Sequence, residues 1–322
     1  MASDESSPSR SRPLEARLLD WLADRFGHDG RLGVPIGDDA ACLAIPGSRQ
    51  CVLATDMLLA GVHFEPPPES PWDRIGQKAL GVNLSDLAAM GARPAAALIS
   101  LALPHGTSDA EVQSLYRGMQ RLADRFDVGI AGGDTNVWSG NLVINVAVVG
   151  LPVAQTVWRR SGGRAGDLLV VTGTLGGSLL QKHWCAEPRI PTAVCLAEAG
   201  IDVHAAIDVS DGLALDLHRL AQASRCGAVL TEKAIPVSGD ARVLSSRCPE
   251  GPSPFDRALA DGEDFELLLA MSDSEHERAS RLPDLPTPLL VVGRLTAEPG
   301  LWLEDATGRR RRLPPRGYLH GG

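Results

Sequence analysis

The chain has 322 residues, 44% hydrophobic and 22% charged, with a formal net charge of -9. That length suits two ordinary domains, and an acidic balance without a basic face argues against a nucleic-acid partner while suiting a carrier of divalent cations. No stretch approaches eighteen consecutive apolar residues, and the six cysteines (Cys42, Cys51, Cys185, Cys195, Cys226, Cys248) form no CxxC pair, so a membrane span, a zinc site and a disulfide framework are not expected.

Reduced thiols of this kind suit a cytoplasmic protein. Residues 1–13 are rich in Ser and charge, lack the apolar stretch of a secretory signal, and are expected to form a disordered tail. Leu14, Leu18, Trp21, Leu22 and Phe26 then fall at helical spacing. A β-like run over 51–55 leads into Asp56, a Pro66-Pro67-Pro68 loop follows, and a long helical pattern covers 72–90 before Gly91. Residues 95–103 read as a buried strand, 109–126 as a helix and 142–149 as a strand, with Gly150-Leu151-Pro152 breaking the pattern. These segments define an expected N-terminal domain over 14–152. A second domain, 153–322, has strand-like runs at 167–172, 204–208, 265–270 and 289–292, and a helix over 212–224. Four consecutive arginines at 309–312 read as a solvated turn or strand edge. Strands alternating with helices predict an α/β (α+β) architecture in each half.

The informative residues are aspartates placed beside Gly, Ser, Thr or Asn. They stand in Gly37-Asp38-Asp39-Ala40, Thr55-Asp56, Asn83-Leu84-Ser85-Asp86, Gly132-Gly133-Asp134-Thr135 and Asp208-Val209-Ser210-Asp211-Gly212. Hard divalent cations take oxygen ligands, and metal bridging phosphates is the main device of phosphoryl transfer. Each segment also has a plain reading, since Asp beside Gly is a common turn and Asp211 could cap the helix that follows. Asp86 differs, because an aspartate inside an apolar helical pattern is intrinsically unfavourable and needs a partner. Asn83 lies one turn earlier on the same face. The glycine-rich turn 173–178 lacks the lysine of a Walker A sequence, and a tight strand-to-helix turn explains it as well as a phosphate site does.

In chain order the motifs are GDDAA at 37–41, TDMLLAGVHF at 55–64, KALGVNLSDLAAMGA at 78–92 and GGDT at 132–135. RSG at 160–162, DVSDGL at 208–213 and GEDFEL at 262–267 follow. Together they resemble the thiamine-monophosphate kinase family of the aminoimidazole ribonucleotide synthetase superfamily, over nearly the whole chain from about residue 14. The resemblance implies a two-domain fold and a homodimer whose N-terminal sheets pair into a barrel. It further implies ATP with several Mg2+ ions, and phosphoryl transfer to thiamine monophosphate. By position it makes Asp39, Asp56, Asp86, Asp134, Asp208 and Asp211 metal ligands, with Asp208, Asp211 and Arg160 central to catalysis. Thr55, Gly133, Arg160 and Ser210 are implied ATP contacts, and His63, Glu263 and Tyr318 acceptor contacts. Glu263 has a bland alternative as an exposed turn residue. Two departures from the family pattern bear on the acceptor: the 177–208 segment is shorter than in many relatives, and Tyr318 is only a stand-in for a C-terminal aromatic. Another superfamily enzyme with a different acceptor, or a silent Mg-ATP-binding regulator, are the alternatives.

Overall fold

The computed structural model describes residues 21, 22, 24, 32–34, 37–44, 50–154, 156–185 and 187–318. The expected tail and most of the expected 14–26 helix lie outside them, although Trp21, Leu22 and Asp24 are helical. The first unit consists of β1 (Leu32–Val34), β2 (Ala41–Leu43), β3 (Cys51–Leu59), α1 (Trp72–Ala89), β4 (Ala92–Pro104), α2 (Asp109–Phe126), β5 (Gly129–Trp138) and β6 (Val143–Pro152). Its six strands run in the order β1-β2-β3-β6-β4-β5, antiparallel except for the parallel β4–β5 pair. Alternation along β6 buries Ile144, Val146 and Val148 on one face, and α1 packs against β3, β4 and β6. A capping box between Ser108 and Glu111 starts α2.

The second unit contains β7 (Leu168–Val171), α3 (Ile190–Glu198), β8 (Ala205–Asp208), α4 (Leu213–Ala223), β9 (Gly227–Thr231), α5 (Gly239–Arg247), α6 (Pro254–Ala260), β10 (Leu267–Met271), α7 (Asp273–Ser280), β11 (Leu290–Thr296), β12 (Leu301–Glu304) and β13 (Arg310–Arg312). The strand order is β13-β12-β9-β11-β7-β10-β8, mixed, with β9 and β12 parallel. Every residue of β7, β8 and β10 is buried, which is why these strands read as unbroken apolar runs. Their alternate residues serve two cores. Leu168, Val170, Leu267 and Leu269 join the cluster built around α1, whereas Leu169, Val171 and Leu268 pack with Leu213, Leu217 and Leu220 of α4. The first core is thus continuous between the two units. Helix α1 is buried on most of its circumference, as a helix lying between two sheets must be, and it brings Asp86 close to β3 and β8.

The architecture is a mixed α/β fold of two units. Two local readings need correction. Strand β6 continues through Gly150-Leu151-Pro152 rather than stopping there. Gly150 leaves room for Leu87 of α1, and Pro152 is the last residue of the strand, where a missing N–H costs little. The segment around GGDT forms a full edge strand, β5, whose glycines and polar residues hide its β character.

Candidate active site

The GDDAA turn, α1 and the end of β8 bring Asp39, Asp86 and Asp208 together, with one carboxylate oxygen of each within 4.8 Å of the others. Asp208 is buried and accepts a 2.6 Å hydrogen bond from Ser85 Oγ, which ties α1 to β8 across the two units. Asn83, one turn before Asp86, accepts the Asp56 N–H at 2.9 Å and donates to Ala79 O at 3.0 Å. The polar pair predicted on one face of α1 is therefore real: Asn83 holds β3, and Asp86 points to the cluster.

Among the described residues, one cation, Arg160, faces this group. Its guanidinium makes a two-pronged contact with Asp39, Nε to Oδ2 at 3.2 Å and Nη2 to Oδ1 at 3.1 Å, while its backbone N–H donates to Asp38 Oδ1 at 2.8 Å. Burial opposes the charge on Arg160, but the pull of Asp39, Asp38 and Asp208 outweighs it and raises the pKa above the ordinary value. Among the acids, burial lifts Asp86 well above the usual carboxylate range, and the charges of Asp56, Asp208 and Asp39 add to the lift. Burial does the same to Asp208, reinforced by Asp39, and lifts Asp38 to about 6. Several carboxylates held together against one guanidinium form an electrostatically under-compensated site, a donor set of hard oxygens that suits a divalent cation.

The loop after β8 supplies the next two predicted residues. Asp211 does not cap α4: its side chain takes an ion pair from Arg219, and its N–H donates to the buried Asp216 at 2.9 Å. Arg219 also reaches Asp216 Oδ1 at 2.8 Å, and burial, with Asp211 adding, lifts Asp216 to about 7. Ser210 O accepts the Glu263 N–H at 2.6 Å, and Asp211 O accepts the Tyr318 N–H at 2.9 Å. Ser210, Asp211, Glu263 and Tyr318 are thereby laced into one loop cluster. Glu263 and Phe265 both take left-handed backbone conformations, φ 52° and 51°, unusual for non-glycine residues and strained for phenylalanine.

About two turns before Asp86 along α1, Glu263 meets Lys78 Nζ at 2.7 Å. The same ammonium donates to His63 O at 2.6 Å and lies 3.3 Å from His183 Nδ1. His63 Nδ1 accepts the Leu59 N–H at 3.0 Å, so a neutral His63 ring carries its proton on Nε2. Thr55 donates to Val146 O at 3.0 Å and Asn145 Oδ1 at 3.2 Å. Gly133 and Asp134 stand on β5, separated from β3 by β6 and β4, so one chain does not gather Asp134 with Asp56. A Cβ at Gly133 would lie 1.7 Å from Ile99 O, so the close approach of β4 requires glycine there.

The glycine-rich turn has the structural role. Gly176 N–H donates to both Asp264 oxygens, at 2.8 and 3.0 Å, and Gly177 N–H donates to Asp261 at 2.9 Å. Those amides hold the GEDFEL loop. Sequence reading passed over Lys78, Ser85, His183, Asp216 and Arg219. A lysine inside the apolar pattern of α1 was the one legible signal among them.

Residues 37–152 match the family described as AIR synthase related protein, N-terminal domain, and 164–304 match its C-terminal domain. The thiamine-monophosphate kinase of Rhodopirellula baltica is 40% identical over 316 residues, covering 96% of this chain and 98% of that protein. That of Escherichia coli K12 is 35% identical over 82% of this chain and 84% of its own length. Among solved structures, AaThiL complexed with AMPPCP and TMP superposes with a TM-score of 0.82 at 27% identity, covering 98% of this chain and 100% of that one. The motifs, the fold and these likenesses agree, and the chain belongs to the AIR synthase related family, among its thiamine-monophosphate kinases.

Proposed function

We propose that this chain transfers the γ-phosphoryl group of ATP to thiamine monophosphate, giving thiamine diphosphate and ADP, with Mg2+ as the metal. The observation that carries the reading is the convergence of Asp39, Asp86 and Asp208 within 4.8 Å, opposed by Arg160. Asp39, Asp86, Asp208 and the neighbouring Asp56 would hold Mg2+, and Asp211 a further ion beside them. Bound there, the metal would neutralise charge on the β- and γ-phosphates and on the acceptor phosphate.

The remaining chemistry belongs to the chain. The acceptor is a phosphate already ionised at neutral pH, so no strong general base is required, and the barrier lies in bringing two anions together in line. Arg160, braced by Asp39 and Asp38, presents a fixed positive charge to the nucleotide. Ser210 and Thr55 lie on the nucleotide side, while His63, Glu263 and Tyr318 surround the acceptor. Residues 14–152 would then form the ATP- and Mg-binding, dimerising domain, and 153–322 a C-terminal α/β domain that adds Asp208 and Asp211 to the metal site.

Support for a homodimer comes from the face of the first sheet turned away from α1. Leu53, Met57, Leu59 and Leu98 are exposed there, an apolar surface of the kind a second copy covers. Three strand spacings separate β3 from β5, about 14 Å, too far for Asp56 and Asp134 of one chain to share an ion. In the dimer, Gly133 and Asp134 of each copy would serve the site of the other.

Purified protein incubated with Mg-ATP and thiamine monophosphate is expected to yield thiamine diphosphate, resolved by chromatography. The product should vanish with EDTA and fade in Asp211→Asn. Protein that binds Mg-ATP yet makes no thiamine diphosphate would overturn the assigned acceptor.

A further inference from the structure

A buried lysine that no metal or nucleotide role accounts for lies at the join of the two units. Lys78 in α1 is 1% exposed. Its ammonium has three protons and three sets of partners: His63 O at 2.6 Å, the Glu263 carboxylate at 2.7 and 2.9 Å, and His183 Nδ1 at 3.3 Å. An ammonium only donates, so Nδ1 of His183 must accept, and the ring is neutral with its proton on Nε2. Burial and the adjacent Lys78 charge both push the His183 pKa down, to about 4, in agreement. The 3.6 Å approach of that same nitrogen to Glu263 brings two acceptors together and is not an ion pair. Trp184 closes the cluster, its ring centroid 5.7 Å from the ammonium. A short 3-10 helix, Lys182–Cys185, carries both aromatic residues into the join.

We infer that Lys78 is a positioning residue: one ammonium sets the loop holding His63, the loop holding Glu263 and the His183–Trp184 turn at a fixed distance from the metal-binding face of α1. It rests on the acceptor roles given above to His63 and Glu263. Asp86 lies eight residues further along α1, about 12 Å at helical rise, so the helix itself is the ruler between metal and acceptor. Glu263 is 25% exposed on its side chain and keeps an edge for a ligand while Lys78 fixes its rotamer. Without the ammonium, the Glu263 side chain loses the contacts that tie it to the helix.

The test is steady-state kinetics of Lys78→Met, Lys78→Arg, Glu263→Gln and the Lys78→Met/Glu263→Gln pair in the full-length protein. Lys78→Met is expected to raise KM for thiamine monophosphate about tenfold or more, with KM for ATP unmoved and Lys78→Arg restoring part of the loss. In the Glu263→Gln background the same change should cost less than in the wild type, because the Lys78–Glu263 contact is already weakened and only the His63 and His183 contacts remain to be lost. If Lys78→Met does not fold, His183→Leu replaces it. That variant should raise the acceptor KM about threefold, and His183→Gln, which can still accept from the ammonium, should not. Equal rises in both KM values, or single effects that multiply in the double variant, would overturn the inference. A wild-type chain that makes no thiamine diphosphate would instead overturn the functional reading beneath it.

Discussion

Two groups of buried acids in this chain are built in opposite ways. Glu266, immediately before β10, is 1% exposed and accepts from Arg189 twice at 2.6 Å, from Lys182 at 2.8 Å and from Thr172 at 2.7 Å. Burial alone would raise its pKa, yet Arg189 and Lys182 outweigh burial and hold it below the usual range. The Asp39–Asp86–Asp208 group has one guanidinium among the described residues, and burial plus mutual repulsion leaves Asp86 and Asp208 raised. Glu266 is complete as folded. The aspartates carry more negative charge than the described cation beside them offsets. Glu266 and Asp208 are carboxylates buried to a similar depth, so the balance of charge is what separates a structural carboxylate from a candidate ligand-binding one.

Breaking the balance at Glu266 should produce the largest effect. Glu266→Gln would leave Lys182 and Arg189 without their carboxylate, and denaturant unfolding should show a loss of about 3–5 kcal/mol. Unchanged stability would mean the cluster is not structural. At the other group the same chemistry should run the other way. Asp208→Asn keeps an acceptor for Ser85 and removes a repelled charge, so the metal-free protein should melt at the same temperature or higher. Its kcat should nevertheless fall by about 10²–10³-fold, as for other preorganised electrostatic contacts. A drop in metal-free melting temperature would mean that Asp208 is a structural carboxylate like Glu266.

A third, smaller effect sharpens the comparison through pH. Asp264 sits between the two designs: burial lifts it to about 7, although Lys182 and the Gly176 N–H pull it down. An acid raised on folding is a cost when ionised. As pH falls from above 7 toward 3.8 the folded protein takes up a proton that the unfolded chain does not, and stability is gained. Asp264→Asn abolishes that gain. The melting temperature of the variant relative to wild type should therefore be more favourable at pH 8 than at pH 5, by a few degrees. The neutral His183, with its lowered pKa, titrates in the opposite sense below 6.5 in both proteins and cancels in the difference. A difference independent of pH would place the Asp264 pKa at its ordinary value.

Much of the candidate site was legible because its residues cluster locally in the sequence. Asp208, Ser210 and Asp211 share one loop, and Asp86 with Asn83 breaks an apolar helical pattern that has no other use for them. The edge strand β5 was not legible, since an edge strand rich in glycine has no apolar alternation to read. His183 was not legible either. Its segment is two short 3-10 turns, and its partner, Lys78, is 105 residues away.

The sequence by itself determined the family, the alternation of strands and helices, the apolar runs of β7, β8 and β10, and the candidate acids, because periodicity and residue type are properties of neighbours along the chain. Only the tertiary structure decided which carboxylates are matched by cations and which are left in excess. Charge compensation depends on distances between segments, such as Ser85 to Asp208 and Lys78 to Glu263, and those distances exist only once α1 is packed between the two sheets.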